Sequence, residues 1–379
     1  MIYLDNAATS LYKPPVVTQA VINAINTLGN ASRGTNESAI METYEIYKTR
    51  CKLAEFFGCK TPTNVIFTSN ATEALNTAIL GTIKHGDHVI TTDLEHNSVL
   101  RPLYELQTSH DVKVDFVKAD TQGLINLDDF EKLILPNTKA IICTHASNVT
   151  GNVLDIAKIG EIARKNKLLF IVDASQTAGC FPIDMNKMNI DILCFTGHKG
   201  LMGLQGTGGL CIGEDIDIKP LKYGGTGVQS YLKHQPKEYP TRLEAGTLNG
   251  HGICSLSAAI DFINQTGIEN ILNHERELMK KFYSGICLIE GVKVYGDFST
   301  FNRAAIVSIN IYDYQSNMVC DVLNEEYGIL TRSGAHCAPR MHKALNTDNQ
   351  GVVRFSFGFN NTEKEVDFAI KAIKEIAAR

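Results

Sequence analysis

A lysine, an aspartate and a threonine each follow a short apolar run, and their types and placement could build a cofactor site. Lys199 comes after DILCFTGH, Asp173 ends LLFIVD, and Thr72 follows NVIFTSNA at the start of a helix-like stretch. A carboxylate at the end of an apolar run is destabilising unless it meets a positive partner or a protonated nitrogen. The free N–H groups at a helix start favour an anion such as a phosphate.

These three features together match the requirements of pyridoxal phosphate (PLP). This cofactor bonds covalently to a lysine, keeps its pyridine nitrogen protonated beside an aspartate, and needs an anion site for its phosphate. The glycine-rich GLMGLQGTGG leaves space around the Lys199 amine. Thr196 and His198 could donate hydrogen bonds to the same anion as Thr72. We therefore expect PLP chemistry at these residues.

Polar residues also follow the other apolar runs. In an open parallel sheet, ligands bind at the carboxyl ends of the strands. Five such ends together offer Thr72, His96, Asn148, Asp173, Gln176, Thr196, His198 and Lys199. Any one of these residues could simply cap a loop, but the whole set at one edge of a sheet predicts a site.

A nucleotide phosphate is the competing interpretation of the helix start. A P-loop requires G-x-x-x-x-G-K-[ST], and a dinucleotide fold requires G-x-G-x-x-G directly after an early strand. The first motif does not occur in the chain, and the glycine-rich GLQGTGG comes late and follows Lys199. The sequence therefore disfavours nucleotide binding.

Short apolar runs alternate with helix-like stretches up to about residue 255. Continuous apolar runs are typical of strands buried on both faces, and right-handed crossovers place the intervening helices on both sides of the sheet. We therefore expect an α/β fold with a mostly parallel sheet. The predicted strands are 64–69, 88–92, 112–118, 139–145, 168–175 and 191–197.

The pattern changes near residue 255, where helices and strands no longer alternate strictly. Strand-like AAIVSINIY and VVRFSF are mixed with helical SNMVCDVLNEEY and a final amphipathic TEKEVDFAIKAIKEIA. Such an order is typical of an α+β unit. We predict a large PLP-binding domain over residues 13–255 and a small α+β domain over 256–379, with residues 1–12 packing against the small domain.

The composition is that of an ordinary globular protein, with 379 residues, 44% hydrophobic residues and a net charge of −5. This charge gives no reason to expect nucleic acid or an anionic membrane as a partner. No apolar run reaches the ~18 residues that a membrane span requires. The start, MIYLDNAATS, lacks the basic and apolar segments of a signal peptide, so we expect a cytoplasmic protein.

Ten cysteines are scattered along the chain without a Cys-x-x-Cys pair, which indicates small buried residues rather than a disulfide framework. Cys143 and Cys194 lie inside apolar runs, which predicts packing in the core. Cys337 has no such run around it. It could bind a metal together with His336 and His342, but their spacing does not match the usual zinc pairs. A nucleophile is the favoured interpretation of Cys337.

A set of longer motifs extends over nearly the whole chain. It comprises YLDNAATS at 3–10, SNATEALN at 69–76, EHNS at 95–98, SNVTG at 147–151, VDASQTAG at 172–179, TGHKGLMG at 196–203, EAGTLN at 244–249, RSGAHCA at 332–338 and RFSFGFNNTEKEVD at 354–367. With these motifs the sequence resembles the cysteine desulfurases and selenocysteine lyases, which are class V PLP enzymes of fold type I. The resemblance implies an aminotransferase-like fold, with a mostly parallel seven-stranded sheet flanked by helices and a smaller C-terminal domain.

The resemblance also implies roles around the cofactor. Lys199 would bind PLP covalently, Asp173 would pair with the pyridine nitrogen, and Gln176 would bind the phenolic oxygen. His96 would stack on the ring and help to move protons. The phosphate would be held by Thr72, Thr196 and His198, and by Thr247 of the neighbouring subunit in a homodimer, and Ala71 would be a further contact to the cofactor.

The substrate implied by the resemblance is L-cysteine or L-selenocysteine. Arg354 would hold its carboxylate with two parallel hydrogen bonds, a task that suits a guanidinium group. Asn148, Arg33 and Arg332 would be further substrate contacts, and Asn148 would also contact the cofactor.

Cys337 falls on the position of the cysteine that accepts sulfur in the family. L-cysteine would become L-alanine, and Cys337 would carry a persulfide that an acceptor protein could then take. The thiolate is the reactive form of such a cysteine. His336, Arg332 and Arg340 stand close in sequence and could supply the positive charge that favours it.

The chain departs from the family pattern in two places, and related activities remain open. RSGAHC resembles the RTGHHC of the branch with a short cysteine loop, but Ala335 replaces the first histidine, and the region 213–243 looks shorter than in larger members. A selenocysteine lyase would use the same scaffold, and its cysteine can be dispensable because selenium leaves easily. A class V transaminase or epimerase would not need Cys337.

Overall fold

The computed structural model of the protein describes residues 1–31 and 34–379. Within these residues the chain forms the helices α1 (Pro15–Thr27), α2 (Glu37–Phe57), α3 (Ala71–Thr82), α4 (Asn97–Ser109), α5 (Asp128–Lys132), α6 (Ile156–Lys165), α7 (Gly250–Thr266), α8 (Ile268–Ile286), α9 (Ser316–Tyr327), α10 (Pro339–Leu345) and α11 (Glu363–Ala377). The strands are β1 (Ile2–Tyr3), β2 (Val65–Thr68), β3 (His88–Thr92), β4 (Lys113–Val117), β5 (Thr138–Thr144), β6 (Leu169–Asp173), β7 (Ile192–Thr196), β8 (Gly208–Ile212), β9 (Val292–Tyr295), β10 (Ile306–Ile311), β11 (Ile329–Leu330) and β12 (Val353–Ser356). None of the described helices is long and apolar enough to cross a membrane.

Seven strands form the main sheet in the order β2-β8-β7-β6-β5-β3-β4. The pairs among β7, β6, β5, β3 and β4 are parallel, whereas β8 is antiparallel to both β2 and β7. The six predicted apolar runs form β2 to β7, which confirms the mostly parallel α/β sheet. The pattern does not predict β8, because its sequence GGLCI continues a glycine-rich turn.

Side chains of the main sheet alternate between its two faces. On β6, Phe170 and Val172 belong to a hydrophobic cluster that includes Phe57 from α2, whereas Ile171 belongs to a second cluster that includes Leu75 from α3. All five of these side chains are fully buried. Helices therefore cover both faces of the sheet, as the continuous apolar runs predict.

The register of the central strands brings their carboxyl ends together. Thr144 at the end of β5 pairs with Asp173 at the end of β6, and Asp173 pairs with Cys194 on β7. Because these three strands are parallel, the residues that follow them leave the sheet at the same edge. The polar residues of the predicted site follow these strands in the sequence and therefore lie at this edge of the sheet.

The second half of the chain builds an antiparallel sheet of three strands in the order β12-β10-β9. Residues of α8, α9 and α11 pack with it in a separate hydrophobic cluster that also contains Leu4. Strand β1 pairs with β11 in parallel. Residues 2–4 therefore contact the second half of the chain, and the packing of residues 1–12 as a whole with the small domain remains a prediction. The proposed boundary between residues 255 and 256 falls inside α7, and the division remains a prediction.

The turn after β6 packs tightly against the turn that carries Lys199. Gly179 has a φ of +91°, and a Cβ added to it would lie 2.4 Å from the backbone C and O atoms of Gly200. Gly86 offers a matched comparison, since its φ is +77° and an added Cβ would meet no heavy atom within 4 Å beyond its chain neighbours.

We expect Gly179→Ala to lower the free energy of unfolding by about 1–3 kcal/mol more than Gly86→Ala. Both variants introduce the strain of a side chain in the left-handed region, but only Gly179→Ala also forces backbone atoms apart. Chemical denaturation of the two variants measures the difference. Equal destabilisation would mean that the two turns are not closely packed.

Candidate active site

Lys199 follows β7 at the edge where the parallel strands end. Its side chain lines a cavity together with Asp173 from the end of β6 and His96 from the turn after β3. Burial lowers the pKa of the Lys199 amine to about 8, and the nearby Arg354 acts in the same direction while Asp173 opposes it. Lys199 therefore loses its proton at a pH where an ordinary lysine keeps it.

Asp173 is buried, with 3% of its surface exposed. One of its carboxylate oxygens accepts hydrogen bonds from the backbone N–H of Ser175 at 2.9 Å and from the Ser175 hydroxyl at 2.5 Å. In the same turn, Gln176 donates from Nε2 to the carbonyl of Ala7 at 3.1 Å. The N-terminal segment therefore forms one wall of the cavity beside these two side chains.

Helix α3 begins at Ala71, so the first N–H groups of the helix lie at the wall of the cavity. Backbone N–H groups at a helix start attract an anion. The hydroxyl of Thr72 lies 2.8 Å from that of Ser98, which also lines the cavity. The hydroxyl of Thr196 is buried without a hydrogen-bond partner among the described residues. The arrangement provides several donors for a phosphate.

Two histidines line the cavity as neutral rings. The Nδ1 atom of His96 accepts the backbone N–H of Ser98 at 3.0 Å, which assigns the ring proton to Nε2. Burial lowers the pKa of His96 to about 4, although Asp173 opposes the shift. Burial also lowers the pKa of His198 to about 4, and Lys199 adds to this shift. Neither ring carries a charge at neutral pH.

Arg354 reaches the same cavity from β12 of the small sheet, with 1% of its surface exposed. Its Nη2 donates to Asp5 Oδ1 at 2.7 Å, and its Nη1 donates to the carbonyl of Asn148 at 3.0 Å. Its Nε has no partner among the described residues. These two bonds use two of the five N–H donors of a guanidinium group, so the side chain retains donors for an anionic ligand.

Cys337 is exposed and lines the same cavity, in a tight turn before α10. His336 and Cys337 both adopt left-handed backbone conformations, with φ of +50° and +57°. Each such residue costs about 1–3 kcal/mol, so tertiary contacts must hold the turn. The carbonyl of Cys337 accepts the backbone N–H of Asn97 at 2.7 Å, and the carbonyl of His336 accepts Nδ2 of Asn148 at 2.7 Å.

The expectation that His336 supplies positive charge to Cys337 is wrong. The His336 ring is buried, its Nε2 lies 3.1 Å from the carbonyl of Arg332, and burial lowers its pKa well below the ordinary value. Arg340 pairs with Asp93, its Nε donating to Oδ1 at 2.8 Å. Of the three residues expected to supply positive charge, Arg332 is the one that lines the cavity together with Cys337.

The cavity brings together most of the predicted site residues. They are Ala71, Thr72, His96, Asn148, Asp173, Gln176, Thr196, His198, Lys199, Arg332, Cys337 and Arg354. Thr247 does not line this cavity, because it lies exposed beside Arg50 and Glu244 in a separate pocket. Arg33 lies outside the described residues.

Several residues that support the site are not predicted by their own type or by the apolar runs around them. They are Asp5, Asn97, Ser98 and Ser175, which hydrogen-bond to Arg354, the Cys337 carbonyl, His96 and Asp173 respectively. All four stand inside the motifs YLDNAATS, EHNS and VDASQTAG. Their position within these motifs is the signal that could have identified them.

The residues of the cavity fit PLP. Lys199 offers an amine with a lowered pKa, and Asp173 offers a buried carboxylate for a protonated ring nitrogen. The buried Oγ1 of Thr196 and Oδ1 of Asn148 have no partner among the described residues. Buried polar atoms without partners are unfavourable, so a bound polar group would stabilise this cavity.

Comparisons with known proteins agree with this geometry. The chain matches the family model Aminotransferase class-V over residues 2–368. A probable cysteine desulfurase from Methanothermobacter thermautotrophicus is 33% identical, covering 99% of this chain and 94% of its own. Another from Pyrococcus abyssi is 34% identical, with 99% and 94% covered.

The fold is also similar to that of solved structures. The apo structure of a cysteine desulfurase from Thermococcus onnurineus NA1 superposes with a TM-score of 0.94 at 34% identity, covering 100% of this chain and 94% of that one. Sequence and fold therefore agree over almost the full length of the chain. The chain belongs to the class-V aminotransferase family.

Proposed function

We propose that this protein is a PLP-dependent cysteine desulfurase that converts L-cysteine to L-alanine and transfers the sulfur to Cys337. The observation that carries the proposal is the shared cavity, which an exposed thiol lines together with Lys199 and Arg354. The relatives and the solved structure described above are cysteine desulfurases by name, which supports the same reaction. A transaminase would have no use for a thiol at this position.

PLP, when bound, supplies an electron sink that stabilises negative charge on a substrate carbon. Lys199 would remove the proton from the substrate Cα, a step that requires a neutral amine. The lowered pKa of about 8 makes the neutral form available near physiological pH. His96, neutral and protonated on Nε2, would assist proton movement without placing a second cation beside Lys199.

Recognition of the substrate carboxylate is the proposed task of Arg354. Its pairing with Asp5 holds the guanidinium in place, and a planar fork can bind a carboxylate through two parallel bonds. Asn148 and Arg332 line the same cavity and are proposed as further contacts. Arg33 remains a proposal that rests on the sequence resemblance alone.

Sulfur transfer needs a nucleophile that can reach the substrate sulfur. The thiolate of Cys337 would attack that sulfur, so that an S–S bond forms as the Cβ–S bond of the substrate breaks. The carbon keeps the electron pair of the broken bond and takes up a proton to become the methyl group of alanine. Cys337 is left as a persulfide. Because Cys337 is exposed, an acceptor protein or a thiol reductant could remove the outer sulfur.

The ten cysteines are all free, which favours a reducing compartment such as the cytoplasm as the place of this chemistry. Cys143 and Cys194 are fully buried, as the apolar runs around them predict. Cys337 is exposed by contrast, and a reducing compartment would keep its thiol available for the next cycle.

A homodimer is part of the proposal. Helices α1 and α2 both pack on α7 and leave an apolar set exposed, which comprises Val16, Ile22, Ile25, Ile40, Met41, Tyr44 and Tyr47. Monomeric proteins rarely expose apolar patches of more than a few hundred Å². Tyr47 lines a pocket with Thr247, so Thr247 borders this surface. A second copy docked there would receive Thr247 at its phosphate site, as the resemblance implies.

We expect the rate of PLP binding to the cofactor-free protein to rise with pH through about 8 and then to level off, because only the unprotonated Lys199 amine reacts. An unperturbed lysine would continue to gain reactivity up to a pH of about 10. Stopped-flow absorbance of lysine-bound PLP measures the rate, and Lys199→Ala should abolish the signal. A rate that keeps rising to about pH 10 would contradict the lowered pKa.

Cys337→Ser should reduce sulfide release from L-cysteine by on the order of 100-fold or more, because a hydroxyl cannot accept the sulfur. The absorbance of bound PLP should be unchanged, since Cys337 does not hold the cofactor. Cys287→Ser is the matched control, because Cys287 is partly exposed and lies outside the cavity. Sulfide release assays with reductant measure both variants.

Full sulfide release by Cys337→Ser would remove Cys337 from the mechanism. The same two proteins should also be assayed with L-selenocysteine. A wild-type protein that releases selenide but little sulfide, with the variant retaining selenide release, would favour a selenocysteine lyase instead.

A further inference from the structure

A buried ion pair joins helix α2 to the segment that carries Thr247. Arg50 lies on α2, and Glu244 stands three residues before Thr247. Two parallel bonds connect them, Nη1 to Oε1 at 2.8 Å and Nη2 to Oε2 at 2.9 Å, and their side chains are 4% and 6% exposed. Desolvating two charges is unfavourable unless the geometry is good and further hydrogen bonds complete the pair.

Those further bonds go to the backbone of strand β2. The Oε1 atom of Glu244 accepts the N–H of Phe67 at 2.7 Å, and Nη1 of Arg50 donates to the carbonyl of Val65. The guanidinium also lies 4.7 Å from the centre of the Phe67 ring. Strand β2 is at the edge of the main sheet, so the ion pair occupies the place of a neighbouring strand.

The segment that follows Glu244 is held at its other end as well. Asn249 caps α7 by accepting the N–H of Gly252 at 3.0 Å, and its Nδ2 donates to the carbonyl of Gly206 at 3.0 Å. Thr247, between these two anchors, is exposed. The ion pair and the cap therefore determine where a short exposed segment presents its hydroxyl.

We propose that Arg50 and Glu244 are positioning residues that hold Thr247 where it completes the PLP phosphate site of a second copy of the chain. The proposal rests on the proposed function, in which PLP binds and the chain forms a homodimer. The ion pair thus acts in trans, on the site of the other subunit. Its bonds to the edge of β2 tie the segment to the rigid sheet of its own subunit.

Mixed dimers separate an effect in trans from an effect within one subunit. Two differently tagged chains are combined, and one of them carries Lys199→Ala so that only the other can bond PLP covalently. Glu244→Gln is then placed either in the Lys199→Ala chain or in the chain with the intact lysine. The amide introduced by Glu244→Gln retains an oxygen acceptor for the Phe67 N–H, so the edge of β2 keeps its bond in either arrangement.

We expect Glu244→Gln in the Lys199→Ala chain to weaken PLP binding at the intact site by roughly tenfold, the scale of one lost hydrogen bond to a charged group. In the chain with the intact lysine the same change should weaken PLP binding less. Titration of the absorbance of lysine-bound PLP measures both affinities. Arg50→Lys should show the same asymmetry, because an ammonium group cannot make the two parallel bonds.

Two reference variants complete the experiment. Thr247→Ala in the Lys199→Ala chain should weaken PLP binding at the intact site to a similar extent without touching the ion pair. Asp261→Asn should change neither affinity, because the ion pair of Lys52 and Asp261, at 2.5 Å, also starts from α2 but joins it to α7 and not to β2. Thermal unfolding and sedimentation of each dimer verify that folding and assembly are intact.

The possible failures are distinguishable. If Thr247→Ala weakens PLP binding in trans and Glu244→Gln does not, or if Glu244→Gln acts equally in both chains, the positioning role is overturned. If Thr247→Ala has no effect in trans, the shared site of the proposed homodimer is overturned, and this inference with it. If the wild-type protein shows no lysine-bound PLP, the proposed function itself fails.

Discussion

The burial of charged groups at one edge of the main sheet is the constraint on which the site depends. Asp173 and Arg354 are almost fully buried and share a cavity with Lys199. Such burial costs on the order of several kcal/mol per charge unless partners compensate. A hydrogen bond from Ser175 stabilises the Asp173 carboxylate, and the Asp5 carboxylate stabilises the Arg354 guanidinium. Burial instead lowers the pKa of the Lys199 amine. Desolvation therefore favours the neutral amine, which is the form that the proposed function requires.

Asn148 connects the parts of the molecule that meet at this cavity. Its carbonyl accepts Nη1 of Arg354 from the small sheet, and its Nδ2 donates to the carbonyl of His336 beside Cys337. The residue follows β5 of the main sheet, so its backbone carbonyl ties the arginine, and its side-chain amide ties the cysteine turn, to the end of a central strand. The strained backbone of Cys337 can persist because such bonds hold it.

The sequence predicts residues whose position depends on their chain neighbours better than contacts between residues far apart in the chain. Lys199, Asp173 and Thr72 can be predicted because each follows or ends an apolar run, a pattern that depends only on neighbouring residues. Strand β8 is not predicted by the apolar runs because it begins with two glycines. Glycine is required at these positions because neighbouring atoms come too close for a side chain. The bond between Asp5 and Arg354 joins residues 349 positions apart, and the spacing of residues in the sequence does not predict such a distant contact.

The central claim is that Cys337 receives sulfur from L-cysteine in the cavity of Lys199. The most direct test mixes PLP-loaded protein with one equivalent of L-cysteine in the absence of reductant, followed by alkylation, digestion and mass spectrometry. We expect one additional sulfur on the peptide that contains Cys337, together with an equal amount of alanine. Alanine formation with the additional sulfur on another cysteine, or on none, would contradict it.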